Sequence, residues 1–151
     1  MEKPEFRNPA TAPPAVIRWT VLLFVSLAMF GNYYIYDSIS PLADVLKTQL
    51  GFDDSAIGTL NGIYSLPNIF MVLIGGLIID RIGTRKSTLL FATLCVLGAV
   101  VTAAHGSLET MAAGRLLFGL GAESMIVAVT TTLAKWFRGK ELSLAFGLNL
   151  T

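Results

Sequence analysis

Charge is what this sequence has least of. Of its 151 residues only 14% are Asp, Glu, Lys or Arg, against about 25% in an ordinary soluble domain. Hydrophobic residues make up 54% and the mean hydropathy is +0.67. A soluble chain of this length needs a polar skin, and these charges cannot supply one. Intrinsic disorder is excluded as well, because it requires low hydrophobicity and high net charge. A net charge of +1 leaves no basic footprint for nucleic acid. The single cysteine, Cys95, lies in an apolar run, so neither a disulfide framework nor a cysteine-based metal site can be built. There is no zinc motif, no serine–histidine pairing within an apolar run and no phosphate loop. No catalytic centre, metal or cofactor is therefore expected. The class that remains is an all-α integral membrane protein, with the lipid bilayer as its first partner.

The apolar residues are concentrated. Trp19 to Tyr36, Ile57 to Ile79 and Ser87 to Leu108 carry no charged residue, and a spanning helix needs roughly 20 mainly apolar residues. Thr110 to Ala134 is equally long but contains Arg115 and Glu123, and a further run opens at Leu142. None alternates in polarity as barrel strands do, and in lipid a helix satisfies its own backbone. The first run continues into Gly31-Asn32-Tyr33-Tyr34-Ile35-Tyr36-Asp37 with no small-residue cleavage pattern, so it reads as a retained helix, not a signal peptide. The resulting division is a tail over residues 1–17 and helices at about 18–40, 56–80, 87–106, 108–135 and 141–151.

Basic residues set the orientation. Lys3, Arg7 and Arg18 precede helix 1, Arg81, Arg85 and Lys86 follow helix 2, and Lys135, Arg138 and Lys140 follow helix 4. The loop after helix 1 has only Lys47 against Asp44, Asp53 and Asp54, and the loop after helix 3 has no basic residue. The positive-inside rule then puts the N-terminus and loops 2–3 and 4–5 in the cytoplasm. Gly51-Phe52-Asp53-Asp54-Ser55 reads as a loop with capping residues for helix 2, and Gly83 suits a positive φ. Pro67 should kink helix 2. Gly58 and Gly62, and one turn before Asp80 Gly75 and Gly76, read as points of close helix packing.

Loop 2–3 reads Gly75-Gly76-Leu77-Ile78-Ile79-Asp80-Arg81-Ile82-Gly83-Thr84-Arg85-Lys86. Asp80 meets the negative end of its helix dipole, an unfavourable place that calls for a partner elsewhere. The spacing resembles the Gly-x-Leu-x-Asp-Arg-x-Gly-x-Arg signature of the major facilitator superfamily: Gly76, Asp80, Arg81, Gly83 and Arg85 match, with Ile78 and Thr84 departing from it. Arg115-Leu116-Leu117-Phe118-Gly119-Leu120-Gly121-Ala122 resembles the superfamily's helix 4 pattern. The resemblance implies a twelve-helix fold, of which this chain holds the first four transmembrane helices and the start of the fifth. It also implies alternating-access transport without nucleotide hydrolysis, with Asp80 as a gate residue. On these grounds the chain is expected to be an N-terminal fragment.

Tyr34-Ile35-Tyr36-Asp37, Tyr64-Ser65-Leu66-Pro67-Asn68, Gly119 to Ser124, Trp136 to Leu142 and Phe146-Gly147-Leu148 are similar to the branch that contains the lysosomal dipeptide transporters. This implies small peptides or similar zwitterions as substrates. It further implies that Glu123 meets the substrate's amino group, and that an arginine just past Thr151 meets its carboxylate. A transporter of another small organic solute and a non-transporting assembly subunit stay open as alternatives. So do an accessory subunit and the choice between a plasma or inner membrane and a lysosomal-type one.

A charge inside the membrane costs at least about 2.5–3.5 kcal/mol and by default marks a functional site. Arg115 and Glu123 are eight residues apart, roughly 12 Å along the axis and about 80° around it, so they cannot pair on one helix. Arg115 is either a bundle residue bonded to carbonyls and helix 1 or a substrate contact. Glu123 is either a buried carboxylate held by a hydroxyl or, at the midplane, a substrate contact. Tyr36, Tyr64 and Asn68 complete the candidate substrate-binding set, and the gating set is Gly76, Asp80, Arg81, Gly83 and Arg85. Asn32 and Tyr33 could line a cavity or serve as helix glue and interfacial aromatics, whereas Asp37 and His105 are expected in water at the outer boundary.

Overall fold

The computed structural model describes residues 13–137 and 139–150, with backbone alone at 140 and 150. The tail residues Lys3 and Arg7, the loop residue Arg138 and the terminal Thr151 lie outside the described residues. Those described form seven helices and no strand: α1 Ala15–Asp37, α2 Ala43–Leu50, α3 Asp54–Gly62, α4 Ser65–Ile82, α5 Thr84–Ala104, α6 Leu108–Trp136 and α7 Gly139–Leu150. Four stretches are long and apolar enough to cross a membrane: α1, α3 with α4 from Asp54 to Ile82, α5 and α6.

Local chemistry sets the ends. Asp53 Oδ1 accepts from the Ala56 amide at 2.7 Å and caps α3, and Ser107 caps α6 by accepting from Thr110. Gly51, at φ 70°, ends α2, and Gly83, at φ 82°, turns α4 into α5 with no intervening loop. The second span breaks at Ile63 and Tyr64. Pro67 has no amide to offer the Ile63 carbonyl four residues back, and its ring crowds that carbonyl. The carbonyl instead takes the Leu66 amide at 3.2 Å, and the Ser65 hydroxyl donates to the Gly62 carbonyl.

Helix α2 occupies a stretch whose sequence reads as loop. It is too short to span, and it stands because Leu46 is buried against Ile39, Ile57, Leu60 and Met111. Lys47 also pairs with Asp54 across the Gly51 turn.

Helix α6 is the axis of the bundle. Thirteen of its 29 residues are buried, against three of 23 in α1. It meets α5 backbone to backbone. A Cβ on Gly98 would lie 2.6 Å from Phe118 Cα and 2.8 Å from the Gly114 carbonyl oxygen; one on Gly121 would lie 2.6 Å from the Phe91 oxygen. Gly75 lets α4 approach Ser124 equally closely, and Ser124 Oγ donates to the Met71 carbonyl at 2.9 Å. Gly58, Gly62 and Gly76 have nothing within 4 Å of an added Cβ, so the expected close packing there is not formed: no helix among the described residues lies over those positions. At the end of the bundle where α1 begins, Arg18 pairs with Glu141 of α7 at 2.6 Å, and Trp19 meets Phe137 edge to face.

Candidate functional site

Arg115 is 1% exposed although it carries a charge. Its Nε donates to the Leu60 carbonyl at 3.0 Å, and its two terminal nitrogens donate to the Ile35 and Tyr36 carbonyls at 2.8 Å each. Those three oxygens belong to the last turns of α1 and α3, where carbonyls lack partners within their own helix. A cation there also faces the negative end of two helix dipoles. Three bonds to a charged donor, at about 1.5–3 kcal/mol each, outweigh the roughly 2.5–3.5 kcal/mol of placing arginine in lipid. The guanidinium carbon further lies 5.3 Å from the Tyr64 ring centroid and 5.6 Å from that of Phe118. Of the two readings of Arg115, the geometry matches the bundle residue bonded to carbonyls; a substrate would have to displace those bonds.

The other four candidates extend from this clamp as one row. The Tyr36 and Tyr64 rings meet edge to face at 4.8 Å. Asn68 follows Tyr64 by four residues, and its Nδ2 donates to Glu123 Oε1 at 3.3 Å. Gly119 makes the row possible: a Cβ there would stand 2.7 Å from Pro67 Cγ and 3.0 Å from the Tyr64 carbonyl carbon. The break in the second span is thus seated on a bare stretch of α6. Glu123 is half-buried, lies 15 residues into α6, roughly 22 Å along its axis, and has Asn68 as its one hydrogen-bond partner among the described residues. Among the described residues no hydroxyl donates to it.

The gating set sits elsewhere. Asp80 and Arg81 close α4 and Arg85 opens α5, all exposed, and Asp80 has no hydrogen bond or ion pair among the described residues. Asn32 is buried and accepts from Cys95 Sγ at 3.6 Å, which makes it helix glue. Tyr33 and Asp37 line a groove of about 550 Å³ between α1 and α7, floored by Ser26 and Asn149. None of the five candidate residues borders that groove. His105 is exposed. Phe118, which receives the guanidinium, escapes sequence reasoning because an apolar residue on an apolar helix gives no signal. Among the described residues no cluster of His, Cys, Asp and Glu could hold a metal ion.

The family model described as Major Facilitator Superfamily matches residues 23–151. The chain is 35% identical over 150 residues to the lysosomal dipeptide transporter MFSD1 of Danio rerio, and 37% identical over 149 residues to that of Homo sapiens. Each alignment covers 95% of this chain and 32% of the relative. It is 27% identical over 131 residues to the hexuronate transporter of Escherichia coli (strain K12), covering 87% of this chain and 30% of that protein. The chain therefore spans about a third of the length of the curated relatives it matches.

Proposed function

The chain belongs to the major facilitator superfamily, and from that membership we propose that the protein it forms part of carries small zwitterions, dipeptides among them, across a membrane by alternating access. The observation that carries the substrate class is Glu123. It is a carboxylate partway across the span Leu108–Trp136, half-buried, with a single 3.3 Å bond to an amide among the described residues. The one cation near it along the helix, Arg115, has its donors directed at three carbonyls. A carboxylate so placed is unfavourable unless a cation or proton joins it, and a substrate's ammonium meets that need. Hexuronates, named for the bacterial relative, are anions and would be repelled at this position.

In this reading Arg115 is a positioning residue. It holds the ends of α1 and α3 so that Tyr36, Tyr64 and Asn68 face the same space as Glu123. Asp80 has no partner among the described residues and awaits one from the opposite half of the transporter when the gate closes. The N-terminus is cytoplasmic.

The test is substrate binding to the complete protein, wild type and Glu123→Gln, comparing a dipeptide with its N-acetylated form. Wild type should prefer the free amine by about 10- to 150-fold, the worth of a charge-assisted bond, and the variant should lose that preference. A variant that keeps the preference while losing only the pH dependence of transport would make Glu123 a proton site instead.

A further inference from the structure

Asn68 Oδ1 is buried and accepts no hydrogen bond among the described residues, while Nδ2 of the same amide reaches Glu123 Oε1 at 3.3 Å. Both halves of this arrangement are poor. A buried carbonyl oxygen without a donor is disfavoured, and 3.3 Å is beyond the usual range of an N–H···O bond. Neither Tyr36 nor Tyr64 gives Oδ1 a hydroxyl, and the Arg115 guanidinium points at the carbonyls of residues 35, 36 and 60. The amide thus gives up its acceptor so that its N–H can face a carboxylate. In that position Nδ2 stands where the N–H of a bound cation would stand.

We propose that Asn68 is the second acceptor for the substrate's amino group, and that it sets a requirement for N–H donors as distinct from positive charge. This rests on the reading that Glu123 receives an ammonium. When the ammonium arrives, one of its N–H groups replaces Nδ2 at Glu123. The amide, held by a single long bond, turns about its terminal torsion and Oδ1 takes a second N–H. Two acceptors set side by side then select a cation with at least two N–H groups. Primary and secondary ammonium ions qualify; tertiary and quaternary ones do not, although their charge is the same.

The experiment is competition binding to the complete protein with one dipeptide carried in five forms: free amine, N-methyl, N,N-dimethyl, N,N,N-trimethyl and N-acetyl. In wild type the free amine and N-methyl forms should bind alike, and the dimethyl and trimethyl forms should bind about tenfold more weakly or worse. In Asn68→Leu the free amine, N-methyl and dimethyl forms should converge to within about twofold, because each still gives Glu123 one N–H, and all should stay above N-acetyl, which lacks the charge that Glu123 reads. Asn68→Asp keeps an oxygen acceptor and should keep the methylation penalty. A penalty on the dimethyl form in Asn68→Leu as large as in wild type would assign it to crowding and overturn the proposal. So would tight binding of the trimethyl form by wild type, a result that needs no variant to fold. If wild type binds the N-acetyl form as tightly as the free amine, it is the Glu123 reading that fails, and this one with it.

Discussion

Arg115 and Glu123 are opposite charges on one helix, eight residues apart, and among the described residues they do not pair. Arg115 is closed off by three carbonyls from two other helices, whereas Glu123 has one weak partner and part of its surface free. The same helix therefore carries one charge enclosed by hydrogen bonds and one that is only partly partnered among the described residues. The division follows from position. Arg115 lies level with the ends of α1 and α3, where unpaired carbonyls collect; Glu123 lies two turns further on, beside intact helix.

Arg115→Met should lower the stability of the folded protein by about 3 kcal/mol or more, since three charge-assisted bonds and their acceptors are affected together. Arg115→Lys should fall between, because an ammonium cannot direct a planar fork at three oxygens. Thermal midpoints in detergent measure this, and amides around the α3–α4 break should exchange faster in the weaker variants. An unchanged midpoint for Arg115→Met would remove the clamp.

Glycine-to-alanine changes should divide by what the new methyl meets. Gly98→Ala and Gly119→Ala press on backbone or on Pro67 and should destabilise by roughly 1–3 kcal/mol. Gly76→Ala meets nothing and should be neutral or stabilising by about 0.5–1 kcal/mol, through the entropy that glycine loses in a helix. Gly83→Ala meets nothing either, but at φ 82° and ψ 159°, a region open essentially to glycine alone, it should be destabilising by about 1–3 kcal/mol. The order of the four midpoints is the check.

The orientation is tested with single cysteines in a protein whose Cys95 has been replaced. Thr84→Cys should be shielded from a membrane-impermeant thiol reagent in intact cells, and Asp53→Cys should be labelled. The reverse pattern would invert the topology.

Much of this structure is readable from the residues, and what is not has a physical reason. The spans announce themselves as long runs without charge. Asp53 as a cap, Gly83 at positive φ and Pro67 as a breaker act within a few residues of themselves, so sequence reports them. Helix α2 is missed because eight residues give two apolar turns and no span-length signal; the Leu42, Leu46, Leu50 spacing is its only trace. Gly58 and Gly62 have no close neighbour among the described residues, because a spacing that permits close packing does not itself supply the partner. The partners of Arg115 lie 55 to 80 residues away and are backbone oxygens, a group every residue has, so no pattern marks them.

Lys47 gives a pH dependence with a definite sign. Its ammonium is pushed above the ordinary lysine value by the hydrogen bond to Asp54 and then by the charge of that carboxylate. A raised folded-state value means the contribution is fully present below the ordinary lysine value of about 10.4 and is lost as pH rises through the raised one. The midpoint difference between wild type and Lys47→Met should therefore be level from about pH 6 to 9 and vanish in stronger alkali. The pair is exposed, so the difference should be small and should shrink with added salt.

The glycine contacts between α5 and α6 have a mechanical consequence. At Gly98, Gly114 and Gly121 α6 and α5 meet through backbone atoms, with only the short Thr102 and Cys95 side chains and Leu94 Cβ beside them, so little long side chain is there to change rotamer and absorb a displacement. That pair behaves as a single stiff beam. The second span has the opposite property: its hydrogen-bond ladder is interrupted at Ile63 and Tyr64, with Arg115 pinning the segment on one side of the gap. Bending strain in this half of the molecule is concentrated at that joint, and the joint lies one turn from Asn68.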